Sequence, residues 1–141
     1  NKVYVADFFF TTCPSICPIM TKNMFSLQEK LKTKYPEVKL LSYSVTPEID
    51  TIEQLKRYAI ENKVDDKIWN LVTGDKKEIY TLARKSYLVV QNDGNGGPHD
   101  MIHTENFVLI DKENRIRGYY DGTDINEMDR LITEIGMLKN D

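Results

Sequence analysis

The chain has 141 residues, 40% of them hydrophobic and 29% charged, with a net charge of −3. That length suits one domain with a real buried core, and the slight acidity argues against a nucleic-acid binder, which needs a basic face for phosphates. No apolar run approaches the length of a membrane span.

The opening stretch NKVYVADFFF carries neither an initiator methionine nor a signal-peptide pattern, so we expect a chain trimmed at its N-terminus, with any signal or anchor removed. Within it, residues 3–10 are apolar nearly throughout, as a central strand covered on both faces should be. The segment TTCPSICPIM follows, and then a helix over residues 18–35 with Met20, Met24, Leu27 and Leu31 at helical spacing. A second strand is predicted over 38–45, after Tyr35-Pro36, and a second helix over 51–63 capped by Asp50 or Thr51. Residues 68–74 form a short strand ending at glycine, and 76–87 a third helix. QNDGNGGPHD, residues 91–100, holds three glycines and a proline and reads as a mobile loop. Beyond it, 106–120 reads as a β-hairpin turning at DKEN, and 124–139 as a closing helix with Asp124 and Glu127 at capping-box spacing.

Early alternation of strand and helix implies parallel crossovers, and the late hairpin implies an antiparallel edge. The expectation is an α/β protein with a thioredoxin-like fold, a central mixed sheet with flanking helices, formed by residues 1–141 as a single domain. In such sheets function gathers where strands end and helices begin. Cys13 and Cys17, the only cysteines, lie at that junction after the first strand.

Proline suits the first turn of a helix and disrupts its interior, so Pro18 is expected to open the helix, with Cys13 to Cys17 in an irregular turn at its mouth. The partial positive charge of a helix N-terminus favours thiolate there. Such a pair can be a disulfide, a cycling redox couple or two arms of a metal clamp. Two thiolates do not complete a copper or zinc site, and the chain offers two histidines, His99 and His103, both at the end of the glycine-rich loop. Cysteine with imidazole suits Cu(I), Cu(II) and zinc, while a three-ligand set is more comfortable for Cu(I) than for structural zinc.

DFFFTTCPSICPIM, SVTPEIDT, LVTG and HTENFVLID stand in the order and spacing of the Sco (SenC/PrrC) family, and the resemblance covers essentially the whole chain. It implies a thioredoxin-like metallochaperone that binds copper through Cys13, Cys17 and His103, with no role for His99. It implies delivery of that copper to the binuclear centre in subunit II of cytochrome c oxidase, with a thiol reductant or a copper donor protein as further partner. It also implies a location in the cell envelope, on the periplasmic side, for a protein whose membrane anchor is absent from this chain. One departure stands out. Where the family usually reads S-x-D-P-E-R-D-T, this chain has Thr46 and Ile49 in place of the Asp and Arg, which bears on partner recognition or on the electrostatics of the site.

Other readings use the same residues differently. A thiol–disulfide oxidoreductase keeping the acceptor cysteines reduced is the alternative, although the spacing departs from C-x-x-C and His103 has no necessity in that chemistry. A peroxiredoxin pattern aligned on Cys13 would require proline and threonine where Ala6 and Phe10 stand. Met20 and Met24 continue the Leu27/Leu31 stripe and are expected in the core, whereas Met101 is a more open sulfur available for transient copper contact. Tyr119 and Tyr120 are expected to be packing and surface residues.

Overall fold

The computed structural model describes residues 2–12, 16–89, 94, 96–97 and 104–139, with Ile16 and Cys17 described through their backbone alone. In chain order the elements are β1 (Tyr4–Phe9), α1 (Ile16–Lys34), β2 (Lys39–Ser44), α2 (Ile52–Glu61), β3 (Trp69–Val72), α3 (Lys76–Thr81), β4 (Asn106–Ile110), β5 (Ile116–Asp121) and α4 (Ile125–Lys139). The strands form one sheet of order β3-β2-β1-β4-β5. β1 lies at its centre, parallel to β2 and antiparallel to β4, while β2 and β3 are parallel and β4 and β5 antiparallel. This is the mixed thioredoxin-like sheet with a late hairpin that the order of elements predicts.

Alternation along β1 explains its unbroken apolar run. Val3 and Val5 pack with Met20, Met24, Leu27 and Leu31 of α1 and with Met128, Leu131 and Ile135 of α4. Ala6 and Phe8 point the other way, into a cluster with Ile79, Tyr80 and Ala83. Both faces are therefore covered, and the two methionines of α1 belong to the core. Asp7 is the polar exception on β1: it is buried, the Ser42 hydroxyl donates to its Oδ1, and Trp69 Nε1–H donates to Ser42 Oγ at 2.9 Å. Burial pushes the Asp7 carboxyl up to about 7, against the opposing effect of the Ser42 hydrogen bond.

Three local expectations change. Helix α1 begins at Ile16, not at Pro18. The first four amides of a helix have no intrahelical acceptor, so proline at the third position costs no hydrogen bond and does not mark the start. Cys17 therefore belongs to the first helical turn rather than to an irregular segment before it. The third helix is also not uniform: after α3, residues Leu82–Ser86 form a π-helical turn, closed by Tyr87 N–H on the Leu82 carbonyl at 2.7 Å. At α4, Asp124 Oδ1 accepts from Asn126 N–H at 2.9 Å, but the return half of the capping box is diverted. The Asp124 N–H is already held by the Asp121 carbonyl at 3.1 Å, and Glu127 instead accepts from Asp121 N–H and pairs with Arg130.

Tyr120 is a core residue whose hydroxyl donates to Glu134 at 2.8 Å, and Tyr119 is partly exposed with its hydroxyl on the Tyr87 carbonyl at 2.7 Å. Among the described residues no helix is long and apolar enough to cross a membrane.

Candidate metal centre

Sheet topology brings three chain segments to one rim. β1 and β2 are parallel, so both end there, and β4 runs antiparallel to β1, so it starts there. The segments are the exit of β1 toward the cysteines, the turn after β2 that contains SVTPEIDT, and residues 104–105 leading into β4. Cys13, His103, His99 and Met101 lie outside the described residues, and Cys17 is placed by its backbone in the first turn of α1. Among the described residues no three His, Cys, Asp or Glu side chains converge as a metal-binding group. What the structure does describe is the framework on which these segments are mounted.

The exit of β1 is clamped by Asp50. This side chain is fully buried, and its Oδ2 accepts from the Ser44 hydroxyl at 2.7 Å and the Thr46 hydroxyl at 3.0 Å. Thr11, two residues before Cys13, donates its N–H to both carboxylate oxygens at 3.3 and 3.4 Å and its hydroxyl to Oδ1. The same Thr11 hydroxyl accepts from Gln54 Nε2 at 3.1 Å, and Gln54 is held in turn by Arg57 at 2.6 Å. Sequence reasoning offered Asp50 only as a helix cap, because a short polar residue before a helix reads that way. The cap is Thr51, whose hydroxyl accepts from Gln54 N–H at 3.2 Å, and Asp50 turns inward.

Thr46 and Ile49, the two departures from the family pattern, sit in this turn with different fates. Thr46 is buried and serves Asp50 as a hydroxyl donor, while Ile49 is half exposed. An Asp at 46 would set a second carboxylate beside Asp50; the threonine supplies a proton donor in its place.

The entrance to β4 is fixed from the other side. Gly122 N–H donates to the Glu105 carbonyl at 2.7 Å, two residues after His103. The Gly122 carbonyl accepts from Asn23 Nδ2 of α1 at 2.8 Å, so the helix whose first turn contains Cys17 is bonded to the chain that enters β4. A side chain at 122 would not fit: a Cβ there would stand 2.5 Å from the Phe107 ring and 2.8 Å from the Glu105 carbonyl. Thr21 shares a 2.7 Å hydrogen bond with the Tyr58 hydroxyl and ties α1 to α2 as well.

Part of the glycine-rich loop is also anchored. Gly96 has φ +70° and lies against α3, where an added Cβ would be 2.8 Å from Lys77 Cα. Glycine is required there both by the left-handed backbone and by the close approach.

The sheet order and the cysteine segment joining its central strand to α1 define a thioredoxin-like α/β protein. The chain belongs to the SCO1/SenC family, whose pattern matches residues 1–139. A SCO1/SenC family lipoprotein from Bacillus anthracis str. Ames is 34% identical, with a TM-score of 0.72 over 93% of this chain and 82% of that one. BsSco, described as a member of the Sco family of cytochrome c oxidase assembly proteins and as the site of a disulfide switch, is 33% identical, with a TM-score of 0.79 over 96% and 78%. Arabidopsis thaliana ScoI with copper bound is 27% identical, with a TM-score of 0.73 over 96% and 85%.

Proposed function

We propose that this chain, residues 1–141 acting as one domain, is a copper-binding assembly factor that carries copper as cargo on Cys13, Cys17 and His103. Its acceptor is the binuclear centre in subunit II of cytochrome c oxidase. The observation that carries this reading is the pair of C-P steps at the junction of β1 and α1, in a chain of the SCO1/SenC family. A copper-bound relative of the same fold and the naming of BsSco among cytochrome c oxidase assembly proteins support it.

The chemistry follows from the donor set. The first turn of α1 carries the partial positive charge of a helix N-terminus, which lowers the cost of ionising Cys17. Two thiolates with one imidazole form a trigonal Cu(I) site, and Cu(II) is accommodated by an added oxygen ligand. Delivery proceeds by exchange, with the acceptor's thiolate or imidazole displacing His103 first, because the thiolates are the stronger soft donors. Oxidation of Cys13 and Cys17 to a disulfide removes two electrons and two protons and switches the carrier off, so a thiol reductant is required before reloading. The relative called a lipoprotein supports a membrane-anchored parent protein, and the family resemblance implies that this chain works in the envelope on the periplasmic side.

The test is a titration of the fully reduced chain with Cu(I) against a chromogenic chelator, alongside His103→Ala and Cys13→Ser. One copper per chain is expected, weakened by either substitution. Wild-type affinity in His103→Ala, or no 1:1 site, overturns the clamp, and disulfide-reductase activity indifferent to His103→Ala would then favour a thiol–disulfide oxidoreductase.

A further inference from the structure

We propose that Asp50 is the positioning residue of the cysteine loop: its buried carboxylate pins Thr11 and thereby sets the path on which Cys13 leaves β1. In its bearing on copper the inference rests on the reading above; in its bearing on the two thiols it does not.

Every partner of Asp50 described above is a neutral donor. Three hydroxyls, of Thr11, Ser44 and Thr46, and the Thr11 amide converge on two oxygens. An ionised carboxylate is an acceptor only, with about four lone-pair sites, so this donor count matches it. Burying a carboxylate without a cation is costly unless its hydrogen bonds are complete. Such a group has one arrangement of low energy and holds its donors to it. Two of those donors, Ser44 at the end of β2 and Thr46 in the turn after it, are held by other bonds: Val45 N–H donates to the Phe9 carbonyl at 2.8 Å and Thr46 N–H to the Ser44 hydroxyl at 3.2 Å. The third residue is Thr11, and it is the one whose chain continues to Cys13. Gln54 closes the clamp by donating to the same Thr11 hydroxyl, so that hydroxyl gives one hydrogen bond and receives another. Helix capping does not explain the arrangement, because Thr51 caps α2.

The experiment compares wild type with Asp50→Asn, Thr11→Val and, as a control of stability alone, Leu131→Val on the buried face of α4. Three quantities are read: thermal midpoint, Cu(I) affinity by chelator competition, and the equilibrium of the metal-free Cys13–Cys17 pair with glutathione. Asn keeps the size of Asp50 but loses acceptor capacity, and Val removes the Thr11 hydroxyl while leaving the amide. Both are expected to weaken Cu(I) binding about tenfold, the low end for residues that orient metal ligands. The thiols should also lose proximity, shifting the glutathione equilibrium toward the reduced form by a similar factor. Leu131→Val should lower the midpoint and leave both site quantities unchanged. A lower midpoint for Asp50→Asn and Thr11→Val, with affinity and glutathione equilibrium within twofold of wild type, overturns the proposal. If wild type binds no Cu(I) but Asp50→Asn still shifts the thiol equilibrium, the copper reading fails and the positioning role stands.

Discussion

Asn23 Nδ2 donates to the Gly122 carbonyl at 2.8 Å, a buried bond between residues 99 positions apart. It joins α1, whose first turn contains Cys17, to the residue that follows β5, Gly122, whose amide holds Glu105 two residues after His103. The two halves of the proposed clamp are thus mounted on elements bonded to each other, independently of any metal.

Asn23→Ala removes this bond and leaves a buried carbonyl without its donor. A loss of about 1–3 kcal/mol is expected, with a thermal midpoint lower by several degrees. Cu(I) affinity should fall too, because the entrance to β4 is no longer referenced to α1. Thermal denaturation and chelator competition on the same samples check both, and unchanged affinity would show that the strut serves stability alone.

Gly96→Ala acts on the glycine-rich loop. The substitution strains a left-handed backbone and sets a methyl carbon 2.8 Å from Lys77 Cα, so the loop must lift away from α3. Since the contact lies outside the main core, the midpoint should move little. The Cu(I) off-rate should rise several-fold, because His103 follows this loop in sequence. Stopped-flow transfer of copper to a chelator measures that rate.

Asp7 makes stability depend on pH in a definite direction. Its carboxyl titrates at about 7 in the folded chain, above its value in the unfolded chain, because burial disfavours the charge. The folded state therefore binds more protons than the unfolded state between about pH 4 and 7, and stability falls as pH rises through that window. Asp7→Asn, which preserves the acceptor for Ser42, should flatten this slope and be more stable than wild type at pH 8 by a few kcal/mol. Denaturant midpoints of the two proteins at pH 5 and pH 8 test it: an equal difference at both pH values would exclude the assignment.

Thr46→Asp restores the residue usual in the family but places a carboxylate beside buried Asp50. A destabilisation of about 1–3 kcal/mol at neutral pH is expected from like-charge contact and the lost hydroxyl donor. Adding Ile49→Arg, at a half-exposed position in the same turn, should recover part of it. A double-mutant cycle gives the coupling, and strict additivity would show that the two departures are independent.

Much of the architecture is legible in the sequence. The unbroken apolar run of β1, the Met20-Met24-Leu27-Leu31 stripe of α1 and the hairpin signal at DKEN follow from periodicity and turn chemistry, which are local. The start of α1 was misplaced because Pro18 is equally comfortable at the third helical position. The π turn at Leu82–Ser86 has no signal in the local spacing; it closes on Tyr87, whose hydroxyl meets Tyr4 and Tyr43 at 3.0 and 3.1 Å across the chain. Local spacing shows Asp50 only as a helix cap and Asp7 only as a member of an apolar strand, since the partners that give each its role include residues distant in the chain, Thr11 for Asp50 and Ser42 for Asp7.

By itself the sequence determined the order of strands and helices, the cysteine segment at the first strand-to-helix junction and the family to which the chain belongs. Those features rest on spacing within short stretches, which a linear reading contains in full. Only the tertiary structure decided that Asp50 grips Thr11, that Asn23 reaches Gly122 and that Asp7 is buried against Ser42. Each depends on which distant segments the sheet brings within hydrogen-bond reach, and on the high cost of leaving a buried polar group unpaired once they meet.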